Sequence, residues 1–104
     1  MPVHISIGIK ASSTETVSEA LRRETGLQPE PHDSLFLGDY DLFRIPEAVR
    51  VGYNFVDAEG EWFHSEHIEY GVLLVVENTE RPDFFRALAV KLGFENKVIE
   101  EKTW

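Results

Sequence analysis

Cysteine is absent from this chain. That excludes disulfides, thiolate nucleophiles and cysteine-ligated zinc. Long apolar runs are missing too. The longest aliphatic stretch is Val72-Leu73-Leu74-Val75-Val76, far short of the about 20 residues that span a bilayer. The seven glycines form neither a G-x-G-x-x-G loop nor a P-loop, so no phosphate cradle is encoded. None of the six serines stands in a nucleophile-elbow setting, and caps or turns account for most of them. Basic residues are scarce where acids are dense. Between Glu24 and Glu80 only Arg44 and Arg50 oppose thirteen of the nineteen carboxylates, a formal charge of −11, while the remainder carries +2.

What is present fits one globular domain. The chain has 104 residues, of which 42% are hydrophobic, enough for a core without covalent staples. Met1-Pro2-Val3-His4-Ile5 lacks a basic region followed by an apolar stretch. No signal peptide is expected, and the expected location is the cytoplasm.

Val3, Ile5, Ile7 and Ile9 alternate with polar or small residues, which predicts a strand. Ser12-Ser13-Thr14-Glu15 reads as a capping box in which Ser12 accepts from a helix amide. The spacing of Val17, Ala20 and Leu21 then predicts a helix over 13–25, closed by Gly26 in the left-handed conformation with Leu27 packing back. Pro29 and Pro31 suggest an extended loop from Gln28 to Asp33. Leu35-Phe36-Leu37 and Leu42-Phe43-Arg44-Ile45 flank Gly38-Asp39-Tyr40-Asp41, as two short strands or one strand and an irregular loop. Val49, Val51, Tyr53 and Phe55 predict a strand that pairs, across Asp57-Ala58-Glu59-Gly60, with an extended Trp62–His67. Tyr70 to Glu77 is almost continuously apolar and fits a central strand. A second helix follows, capped by Asn78 or Thr79, with Pro82 in its first turn and Phe84, Phe85, Leu88 and Leu92 as its buried stripe. Gly93 closes it, and Lys97–Glu100 predicts a last strand.

This order implies an α+β fold: an antiparallel or mixed sheet with two helices on one face, a ferredoxin-like or split βαβ variant. Ile5, Ile7, Val17, Leu21, Leu73, Val75, Phe84, Leu88 and Leu92 are expected to share one core.

His64-Ser65-Glu66-His67 resembles a metal site only at first sight. In a strand His64 and His67 point to opposite faces, and zinc needs three or four convergent ligands; no metal and no cofactor is expected. Asp57-Ala58-Glu59-Gly60-Glu61 is a poor fragment of a calcium loop. No helix has a basic face, so nucleic acid is not an expected partner, and neither is a membrane.

Acids do interleave with aromatics. Asp39-Tyr40-Asp41 precedes Phe43, Glu59 and Glu61 precede Trp62, and Glu66, Glu69 and Tyr70 follow. Carboxylates steer a cationic partner and a central aromatic anchors it. The expected function is therefore non-catalytic binding of a basic protein partner, such as a toxin or nuclease domain. The profile is of a type shared by bacterial toxin-immunity proteins: small, acidic, cysteine-free and poor in motifs. The alternative is a small-molecule enzyme or sensor using His4, Tyr53, His64 and Glu66 on an open sheet face or at a dimer interface. Monomer and homodimer both fit.

Overall fold

The computed structural model describes residues 2–34, 38–45, 47–54 and 69–103, with the side chains of 33, 34, 38 and 39 left aside. These residues form strands β1 (Val3–Ile9), β2 (Glu30–Ser34), β3 (Gly38–Ile45), β4 (Glu47–Tyr53), β5 (Val72–Thr79) and β6 (Asn96–Thr103), with helix α1 (Thr14–Thr25) after β1 and helix α2 (Pro82–Lys91) after β5. They build one sheet in the order β2-β3-β4-β5-β1-β6, and every neighbouring pair is antiparallel.

Register explains which face is dry. Ile5, Ile7 and Ile9 pair with Val76, Leu74 and Val72. Val49 and Val51 oppose Val76 and Leu74 on the other side of β5, and Phe43 opposes Val49. All these side chains are buried in one cluster with Val17 and Leu21 of α1 and Phe85, Leu88 and Ala89 of α2. Both helices therefore cover the same face, as the sequence suggests. Leu73 and Val75 depart from expectation. They are also buried, but their register with Gly8 and Ser6 turns them to the opposite face, outside the cluster. Gly8 is required there by close approach. A Cβ at that position would lie 2.5 Å from the Ile99 side chain and 2.8 Å from Tyr70 Cβ.

Several local expectations need correction. The α1 cap is Ser13, one residue later than expected, and its hydroxyl accepts from Thr16 N–H at 3.3 Å. Ser13 is the residue with extended backbone immediately before the first helical turn, which is what a capping oxygen requires. The Pro29–Pro31 region is not a loop throughout, since β2 begins at Glu30. Among the described residues it is an edge strand, bonded to β3, where proline is tolerated. Gly38-Asp39-Tyr40-Asp41 forms no break and belongs to the continuous β3.

β4 has β3 on one side and β5 on the other. The hairpin partner expected at Trp62–His67, like Leu35-Phe36-Leu37 and Asp57-Ala58-Glu59-Gly60, lies outside the described residues. Neither Asn78 nor Thr79 caps α2: both remain in β5, and the N-cap position is Arg81 with no side-chain cap bond. The buried stripe of α2 is Phe85, Leu88 and Ala89, continued by Leu92, and Phe84 is 41% exposed. A stripe one position wide cannot take two adjacent phenylalanines, which diverge by about 100° around a helix. Gly26 and Gly93 do take left-handed backbone, at φ 73° and 86°. Phe94 packs against the core, whereas Leu27 is exposed.

Candidate functional site

The acidic segment is partly answered from within. Arg44 pairs with Glu30 at 2.9 Å and Arg50 with Glu77 at 2.7 Å. A third base comes from outside the segment: Arg81 grips Glu47 with two nitrogens, at 2.6 and 3.1 Å. The Thr79 hydroxyl donates to the same carboxylate, and Arg81 also donates to the Ile45 carbonyl. The Arg81 guanidinium, helped by Thr79 and opposed by desolvation, holds Glu47 at a pKa of about 2. Glu24, Glu69 and Glu80 are exposed.

One cleft stands apart from these pairs. It lies where the first turn of α1 meets the end of the β2–β3–β4 ladder and has a volume of about 410 Å³. Thr14 and Glu15 line it from α1, Pro31 and His32 from β2, Tyr40 and Asp41 from β3, and Tyr53 from β4. Backbone register assembles it. His32 pairs with Tyr40 and Pro31 with Asp41, while Tyr40 pairs with Gly52, next to Tyr53. The rings of His32 and Tyr40 stack with centroids 5.4 Å apart at 12°. Ser18 lies one helical turn beyond Thr14, is buried, and donates to Asp41 Oδ2 at 2.6 Å. That bond ties α1 to β3 at the edge of the cleft. Tyr53 is 38% exposed and Tyr40 and Asp41 are half-buried.

The structure thus brings together Tyr40, Asp41 and Tyr53 of the residues singled out from sequence. The backbone of Asp39 lies in β3 opposite Asp33. Glu69 is exposed and Tyr70 half-buried just before β5, with Tyr70 packed over Gly8. His4 is not near Tyr53. It sits on β1, two strands from β4 and at the other end of the ladder, 3.1 Å from Glu100. Glu59, Glu61, Trp62, His64, Glu66 and His67 lie outside the described residues. No group of three or more His, Asp or Glu among the described residues is placed to hold a metal. No helix among them is long and apolar enough to cross a membrane.

Sequence reasoning missed Thr14, Glu15, Pro31 and His32. The first two read as helix cap and first turn, the others as loop. Only the β2–β3 register, which sets His32 beside Tyr40, reveals their shared location.

No protein-family model matches this chain, and no curated protein matches its sequence.

Proposed function

We propose that this protein is a non-catalytic binding protein that captures and neutralises a basic protein partner, in the manner of an immunity protein against a bacterial nuclease-type toxin. The observation that carries the reading is how the sheet distributes charge. β2, β3, β4 and β5 lie side by side in chain order, so a charge concentrated along the chain is also concentrated in space. β2, β3 and β4 together hold Glu30, Asp33, Asp39, Asp41 and Glu47 against Arg44 and Arg50. The opposite edge is balanced, with Lys97 and Lys102 against Glu100 and Glu101 in β6. A field of this shape steers a cationic surface toward one half of the molecule over a Debye length of about 8–10 Å.

The topology supports a ferredoxin-like, split βαβ assignment. The order β6-β1-β5-β4, with α1 after β1 and α2 after β5, supplies the core of that arrangement. β2 and β3 then extend the sheet beyond β4. The protein is read as cytoplasmic, acting as a monomer or homodimer.

The experiment is affinity capture from the native host over a range of ionic strength. A basic protein should be retained at low salt and lost when Asp39, Asp41, Glu59 and Glu61 are reversed to Lys. Capture of no basic protein at any salt removes the reading.

A second reading, a small-molecule enzyme or sensor, is favoured by the size of the cleft, which falls within the usual range for ligand sites. A thermal-shift screen of metabolites that yields a hit abolished by Tyr53→Leu would support it.

A further inference from the structure

The geometry points to the cleft at the start of α1 as the pocket that receives one cationic side chain of the basic partner, an arginine above all. This inference rests on the binding role proposed above and names the anchor within it.

Four features of the cleft converge on a cation. First, among the described residues it is lined by two carboxylates, Glu15 and Asp41, and by no lysine or arginine. Second, its carboxylates differ from those that are neutralised within the chain. Glu30, Glu47 and Glu77 are each held by an arginine of the chain itself, whereas among the described residues neither Glu15 nor Asp41 has one. The Ser18 hydroxyl bonds Asp41 through Oδ2, which leaves Oδ1 for an incoming donor.

Third, Tyr53 lines the cleft on the same face of the sheet as Asp41, since both align with the buried Val51, whereas Tyr40 alternates to the other face, where it stacks on His32. Tyrosine faces attract a guanidinium within about 6 Å, and a planar guanidinium can stack on a ring while forking onto a carboxylate, which an ammonium cannot. Fourth, the volume of about 410 Å³ is generous for one side-chain head and small for a folded segment. The N-terminus of α1 opposes a cation with about half a positive charge. Two carboxylates outweigh it.

The test is a titration of the full chain, followed by NMR, with a short peptide carrying one arginine between alanines. Its twin carries citrulline, the neutral isostere, and argininamide serves as the free small-molecule cation. The arginine peptide should shift Tyr40, Asp41 and Tyr53, and citrulline should weaken binding about tenfold. Glu15→Gln and Tyr53→Leu, both at exposed positions, should each weaken it about three- to tenfold with the remaining spectrum unchanged.

Equal binding of the citrulline twin, or shifts confined to other acidic positions such as Glu69 and Glu80, would overturn the inference while leaving the wider acidic surface as the docking site. Argininamide binding as tightly as the peptide would overturn the protein-anchor assignment and make this a small-molecule site. Occupancy of the cleft by the peptide, combined with no basic partner captured from the host, would keep the cation pocket and overturn the binding role above it.

Discussion

Arg81 reaches back to Glu47 across 34 residues of chain and holds both carboxylate oxygens, Oε1 at 2.6 Å and Oε2 at 3.1 Å. The pair ties the start of α2 to the start of β4, and Thr79 at the end of β5 joins it. The same guanidinium lies 4.3 Å from the Phe84 ring centroid. Phe84, expected in the core, instead forms an outer wall of this clasp.

The clasp should make stability depend on acid. Glu47 is lowered from an ordinary value of 4.5 to about 2, so its contribution is complete above about pH 4.5 and disappears as pH falls through about 2. Glu47→Gln should cost about 1 kcal/mol at pH 7, a modest figure because Arg81 is 42% exposed. Urea denaturation of both proteins at pH 7 and pH 2.5 checks this. The difference should shrink at the lower pH, and a constant difference would remove the ion pair as its cause.

Leu88 and Phe84 offer a contrast within one helix. Leu88 belongs to the core cluster at 6% exposure and Phe84 is at 41%. Leu88→Ala should cost about 2–5 kcal/mol. Phe84→Ala should cost about 1 kcal/mol, mostly its contact with Arg81. Shifts in denaturation midpoint at constant slope would measure both, and the order Leu88 above Phe84 is the decisive outcome.

Two kinds of glycine should respond differently to alanine. At Gly26 and Gly93 there is open space but left-handed backbone, so alanine should cost about 1 kcal/mol at each. At Gly8 the new methyl meets Tyr70 and Ile99 within 3 Å. The strand must shift, and about 1–3 kcal/mol is expected. Thermal unfolding separates the two cases, because Gly8→Ala should also perturb the near-ultraviolet signal of Tyr70.

Strands, helices and helix stops were legible where the signal is local. The alternation of Val3 to Ile9, the continuous apolar run of β5 and the glycines after each helix each depend on a few neighbouring residues. What failed depended on partners far along the chain. β2 reads as loop because Pro31 argues against a strand, and only its edge position makes the proline acceptable. The β3–β4 pairing is hidden because Pro46-Glu47-Ala48 looks like an interruption, whereas Ile45 and Glu47 pair at the start of that ladder. Leu73 and Val75, expected in the core under the helices, lie on the other face, since a strand apolar on both sides carries no alternation to fix its facing. Of the candidate site, Tyr40, Asp41 and Tyr53 were visible as residue types, but their meeting with His32 and Glu15 is a product of register and helix placement.

The position of β1 between β5 and β6 also sets an order of assembly. Val3 pairs with Thr79 and Thr103, and Ile9 with Val72 and Asn96. The ladders from β2 to β4 join neighbours in sequence and can close early, at little loop-entropy cost. β1 has no partner nearer than β5, so its isoleucines wait as an unpaired apolar strand while most of the chain is synthesised. Pulse-labelled hydrogen exchange should find the β3 and β4 amides protected before those of β1. Slow translation beyond Tyr53 should lengthen the interval in which this strand is open to mispairing or to a chaperone.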